Sequence, residues 1–279
     1  MAKSTAVATK DDTVSDQLPD YLKGYVDDNE DNFDSSDIVI PRIKLLQGLS
    51  KEVEEFDNAK TGHFWHTGLD MDLGDSVKFV VADRRKKYLL AAPLADGQGV
   101  LARADDAKTW DREGSWEVKL KGVKKPVTWA IEDTDVLKSG LAAWGSSNPD
   151  DEDSAPAATL FYDYLVFLPD HLDLGPAVIT LARSQIRRAK KGLNDKIQLH
   201  KTNGRPMQAI VFEAKSIEET GEEGPYKNWS FTGAGFVQDK SLFQMAHEHR
   251  NALGDIVIQD ETGDMDRPQE EDDDESVAF

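Results

Sequence analysis

Near its end the chain carries six consecutive carboxylates, Glu270-Glu271-Asp272-Asp273-Asp274-Glu275, and these limit where a fold can form. No core accepts such a run, because each buried acid would need a partner or an upward shift in pKa. Counting charge by segment extends the limit. Residues 11–37 and 260–279 each hold ten acids against one base, for −9 apiece. The formal charge is −20 over 279 residues and Lys3 and Lys10 add +2, so residues 38–259 keep only −4. The loop Asp150-Asp151-Glu152-Asp153 accounts for that remainder. The sequence therefore divides into a disordered acidic N-terminal arm at 1–37, a nearly neutral body at 38–254, and a disordered acidic tail at 255–279. The arm would form at most one short helix near 18–26. The low overall pI belongs to the two ends and does not argue against nucleic acid as a partner of the body.

The chain has no Cys, which excludes disulfides and thiolate metal sites and fits a reducing compartment. No apolar run reaches the roughly 18 residues a membrane helix needs, and the first residues lack the apolar stretch of a signal peptide. These features predict a cytoplasmic protein, in the host cytoplasm if the gene belongs to a phage, with no membrane partner.

Within the body, β-branched and aromatic runs predict strands at 38–46, 62–66 and 76–82, the last followed by the basic run that leads to Leu90. Further strands are predicted at 158–169, 178–181, 207–217 and 229–237. The run at 158–169 is the clearest and reads as central. Pro41 places the first run at a sheet edge or strand entrance. Residues 95–157 read as loop-rich, with four Trp and several Gly. Helices are expected at about 182–199 and 239–252, with Gly254 as a stop. Many short strands and two helices give a β-rich α+β body, for which an OB-like barrel with insertions is the expected architecture.

The segment 183–201 holds seven Lys or Arg against one acid, Asp195. On a helix, Ala182, Ile186, Ala189, Leu193 and Ile197 form one apolar stripe, and Arg183, Arg187, Lys190 and Lys191 adjoin it. Arg188, Lys196 and Lys201 extend the charge. Two further basic runs are Arg84-Arg85-Lys86-Lys87 and the segment holding Lys121, Lys124 and Lys125. Trp110 and Trp116 lie between them in sequence. Cations for phosphates and aromatic faces for bases are what sequence-tolerant single-stranded DNA binding requires.

An acidic segment closing on Ser276-Val277-Ala278-Phe279 resembles the tails of bacterial and T7-type phage single-stranded-DNA-binding proteins. Residues 40–50, the Trp144-Gly145-Ser146-Ser147 to Ala157 segment and the 160–168 strand are similar to a group of tailed-phage replication and recombination proteins. The resemblance implies a non-enzymatic single-stranded-DNA-binding protein of a bacteriophage, active in DNA replication or recombination, and it allows a homo-oligomer. It also implies that Asp272, Asp273, Asp274, Glu275 and Phe279 recruit partner proteins and compete with DNA for the groove. No cofactor and no metal are implied.

Other chemistry is weaker. His63, His66, His247 and His249 show no metal-binding spacing on the predicted elements. Gly97-Gln98-Gly99-Val100-Leu101-Ala102 has the letters of a dinucleotide fingerprint without its strand–turn–helix context. Asp170 with Glu213-Ala214-Lys215 resembles a Mg-dependent nuclease core, the enzymatic alternative. A third alternative is a phage interaction protein whose acidic ends mimic DNA.

Overall fold

Pro41 cuts the first apolar run short. Its carbonyl accepts from Val178 N–H at 2.8 Å, and strand β1 (Ile43–Leu45) begins two residues later. The computed structural model describes residues 40–93, 96–221 and 224–254. The arm at 1–37, its short helix, and the tail with Asp272, Asp273, Asp274, Glu275 and Phe279 lie outside the described residues. A one-turn helix, α1 (Lys51–Glu55), follows β1. Strands β2 (Phe64–His66) and β3 (Met71–Gly74) complete a small antiparallel sheet in the order β1-β2-β3.

Next comes the strand that organises the body, β4 (Ser76–Ala91), where the predicted strand at 76–82 and the basic run after it are one continuous element of sixteen residues. Strand β5 (Val100–Ala104) pairs with its far end. Strands β6 (Gly114–Val118) and β7 (Val127–Ile131) form a separate hairpin, followed by helix α2 (Val136–Ser139). Strands β8 (Ala158–Phe167) and β9 (Pro176–Ala182) add to β4 on one side. Strands β10 (Ile210–Gly221) and β11 (Gly224–Phe236) add on the other, giving the order β11-β10-β4-β8-β9.

The expectation of a β-rich α+β body holds. The OB-like barrel is not found: among the described residues the strands sort into three antiparallel sheets and none closes. The border between β1 and the large sheet is spanned by one parallel bridge, Arg42 to Val178, and by a side chain. Gln47 donates to the Lys227 carbonyl at 3.0 Å and accepts from the Lys227 N–H at 3.0 Å. A side-chain amide thus occupies edge groups of β11 that a neighbouring strand would otherwise take.

Two layers cover the large sheet. On one face lie β1, β2 and a basic helical segment: α3 (Ser184–Ala189), a π-helical turn (Lys190–Asn194) and α4 (Asp195–Thr202). Ile186, Ala189, Leu193 and Ile197 are buried against Phe79, Tyr164, Phe212 and Phe231, so the apolar stripe expected from the sequence forms without Ala182, which ends β9. The helix α5 (Lys240–Glu248) covers the other face, packing Leu242 and Ala246 on Val80, Leu165 and Phe167. Asp239 caps α5 by accepting from Ser241 N–H at 2.7 Å. The stretch 95–157, expected to be loops, builds a second core of its own: Trp110, Val118, Trp129, Ile131 and Val136 pack with Leu90 and Leu101.

His66 in β2 is 1% exposed, and neither ring nitrogen has a hydrogen-bond partner. Burial first, with nearby His171 adding to it, holds its pKa below the usual 6.5. The unfolded chain therefore takes up the proton before the folded one does. Stability should fall as pH drops through about 6.5 and level off only below the folded-state value. Thermal melts of the wild type and of His66→Phe between pH 7.5 and 5 test this. The variant should lose less stability over that interval, and parallel curves would rule His66 out.

Candidate functional site

The geometry of the basic residues depends on a bulge. Val81 pairs with Val166, but Asp83 pairs with Leu165, so Ala82 is the extra residue. A one-residue offset sends each later side chain to the opposite face. Arg84 and Lys86 therefore stand opposite Tyr164 and Tyr162, on the face that carries the basic helical segment. Both cations are exposed. Arg84 Nη1 donates to Asn194 Oδ1 at 2.8 Å, and the Tyr164 hydroxyl donates to the same oxygen at 3.0 Å. Asn194 ends the π turn, so this one amide ties the strand cations to the basic segment. Burial, with Tyr162 adding to it, pushes the Tyr164 hydroxyl well above its ordinary pKa despite Arg84 and Asn194, and it remains a donor.

Arg84, Arg85, Lys86, Asp106, Tyr162 and Tyr164 line a half-open depression of about 220 Å³. Lys86 Nζ lies 5.3 Å from the centre of the Tyr162 ring, within cation–π range. Asp106 places a carboxylate at this rim. Burial pushes its pKa up, but hydrogen bonds from Thr109 and Lys108 outweigh it and hold it below the usual range. The depression is cationic with one fixed acid.

The other half of the 84–87 run has a different role. Arg85 and Lys87 face inward, and each lies 3.3 Å from Asp163 Oδ2. Lys87 is 1% exposed and Asp163 not at all, while Thr180 Oγ1 donates to Asp163 Oδ1 at 2.9 Å. Arg85 also donates to the Leu253 carbonyl at 2.8 Å. Asp83 accepts from the N–H groups of Arg84 and Leu253. These residues lock β4 to β8 and to the segment after α5. Of the four cations expected to serve a groove, Lys87 is thus enclosed in a buried ionic cluster, and Arg85 is bonded into the same cluster while also lining the depression.

Along the helical segment Arg183, Arg187, Lys190, Lys191 and Lys201 are exposed. Arg183 adopts φ +50°, an unusual conformation for a non-glycine residue, where β9 turns into α3. Arg188 points away and is paired with Glu219 on β10. Lys196 is half-buried beside Gly233 of β11. The hairpin lysines Lys121, Lys124 and Lys125 are exposed at the turn between β6 and β7 and do not line the depression.

The two tryptophans expected to stack bases do not present open faces. Trp110 is 2% exposed and its indole N–H donates to Ser139 Oγ at 3.1 Å. Trp116 is half-buried over Gly114, whose missing side chain makes room for its ring. Trp144, which the sequence did not mark as a base-stacking residue, is the exposed one at 75%. Asn194 carries no distinguishing signal either, as a polar residue within a basic helix.

Other candidates are dispersed. His63 is bonded to Asp72, His247 stacks on Phe243, and His249 Nδ1 lies 2.9 Å from the Met245 carbonyl. Gly97 and Gly99 form a turn that enters β5, with no helix following. Glu213 is paired with Lys215 at 3.2 Å and accepts from Ser76 at 3.1 Å, while Asp170 is exposed after β8. Among the described residues no three His, Cys, Asp or Glu side chains gather where a metal ion could be held.

The model of the Pam3 phage gp34-like protein family matches residues 9–256. The chain belongs to that family. The resemblance drawn from its sequence is thereby supported at the level of a phage protein. No curated protein and no solved structure matches the chain. Among the described residues no helix is long and apolar enough to cross a membrane.

Proposed function

We propose that this protein binds single-stranded DNA, without sequence preference, across the face shared by β4 and the α3–α4 segment. The observation that carries this reading is the shared Asn194 contact. It sets Arg84 and Lys86 beside the exposed row Arg183, Arg187, Lys190 and Lys191 on one side of the molecule. Cations spread along such a face follow a phosphate backbone more naturally than they would a compact ligand. With Trp110 buried and Trp116 half-buried, phosphate contact is the principal term and base stacking a minor one. The acidic segment 270–275 competes for these cations and recruits replication or recombination proteins.

The test is fluorescence anisotropy of labelled oligo-dT over a salt series. It compares the full chain, residues 1–259, and the full chain with Arg84→Glu, Lys86→Glu, Arg187→Glu and Lys190→Glu. The truncated chain should bind more tightly than the full one. The reversed variant should bind more weakly, with the slope of log K against log salt flattened by about 0.7 for each phosphate no longer neutralised. No binding by either the full or the truncated chain would sink the reading. Mg-dependent cleavage of the oligonucleotide that disappears in Glu213→Ala would favour the nuclease alternative instead.

A further inference from the structure

The segment from α2 to Ser147 presents two large apolar side chains to solvent. Leu137 is 82% exposed and Trp144 75%, whereas Trp65, Trp110, Trp129 and Trp229 are all buried. Trp144 is held out by an ordered loop. Gly145 N–H donates to the Ser154 carbonyl at 2.7 Å and Ser147 N–H to the Ala155 carbonyl at 3.1 Å. The Trp129 indole N–H donates to the Ser147 carbonyl at 3.0 Å. Gly145 has φ +83°, and a side chain there would come within 3.0 Å of the Glu152 carbonyl oxygen. Trp144 therefore adjoins the exposed acids Asp150, Asp151, Glu152 and Asp153, none of which is ion-paired to a described residue. An exposed aromatic beside four carboxylates suits a cationic surface.

The same lobe carries that surface. Beyond the last hairpin pair, Val118 with Val127, the turn contains Lys119, Lys121, Lys124 and Lys125. Lys119, Lys124 and Lys125 are exposed there and offer cations to the four acids. Among the described residues no ion pair joins the two sets: the Trp129 bond sets the acidic loop alongside β7, whereas the lysines follow the last hairpin pair.

We propose that copies of this chain associate head to tail, Trp144 and the 150–153 loop of one seating on the 119–126 turn of the next. The two patches differ, so the contact is heterologous and can repeat from copy to copy. The inference does not depend on DNA binding, and its test omits nucleic acid.

Sedimentation velocity at physiological ionic strength would follow the wild type over a concentration series, along with two variants checked for folding by circular dichroism. Trp144→Ala with Glu152→Gln leaves only the lysine turn competent, and Lys124→Ala with Lys125→Ala leaves only the acidic loop. The wild type should assemble increasingly with concentration, and each variant alone should remain monomeric. A mixture of the two variants should stop at a heterodimer, since only one competent junction exists. A wild type that stays monomeric, variants that assemble like wild type, or a mixture that stays monomeric would each overturn the proposal.

Discussion

Asp163→Ala should destabilise the body by about 3–5 kcal/mol, the range for removing one member of a buried ionic cluster. The side chain of Asp163 is fully buried, lies 3.3 Å from both Arg85 and Lys87, and accepts from Thr180. Truncation would remove the carboxylate that both cations share and leave the Thr180 hydroxyl without its acceptor. Relief by moving Lys87 into solvent would require unpairing β4 from β8, where the two strands are registered from Val80 to Leu90. Urea unfolding of the wild type, Asp163→Ala and Asp163→Asn would measure the effect. Asn keeps an acceptor for Thr180 but no charge, so it should recover only a small part of the loss. A change below about 1 kcal/mol in Asp163→Ala, small against the range for a broken buried pair, would show that the cations are compensated without Asp163.

Gly192→Ala should also destabilise, by about 1–3 kcal/mol, although in an open helix the same change stabilises by about 1 kcal/mol. The sign reverses because a Cβ at 192 would sit 2.5 Å from Phe231 Cβ and 2.8 Å from the Phe231 carbonyl oxygen. The crowding involves the backbone of β11, which cannot swing aside as a flexible side chain could. The π turn would have to lift from the sheet, and Asn194 would move with it. Gly192→Ala should therefore lower the melting temperature and also weaken oligo-dT binding, through Arg84 losing its anchor. A stabilised Gly192→Ala would mean that the segment can slide over β11 at no cost.

Much of this architecture could be read from the chain. The 158–169 run is a sheet strand between β4 and β9, and Ile186, Ala189, Leu193 and Ile197 face the core as their spacing predicts. Asp163 is a signal of the ionic cluster that the sequence does contain. A lone carboxylate inside Leu160 to Leu168 needs a buried cation, and the 84–87 run can supply one. The second lobe is hidden because its strands are short and broken by Gly and polar residues, so only the joint packing of Trp110, Trp129 and Val136 identifies it. Barrel closure is not legible, because strand count does not determine which edges pair. The basic helix is legible, but its π turn depends on contact with Phe231, a residue far away in sequence.

The bulge at Ala82 makes this strand an alternating text in which odd and even letters belong to different messages. Asp83, Arg85 and Lys87 spell part of the interior, and Arg84 and Lys86 spell part of the surface. Substituting Ala82 would be a local event, and deleting it would straighten the strand while Val81 and Asp83 kept their partners Val166 and Leu165 and both messages kept their faces. Slipping the strand by one residue after Asp83 would exchange them, turning the ionic cluster outward and driving the surface cations into the core beneath α5. Surface and interior are therefore set in one reading phase, and a change of register cannot rewrite one without rewriting the other.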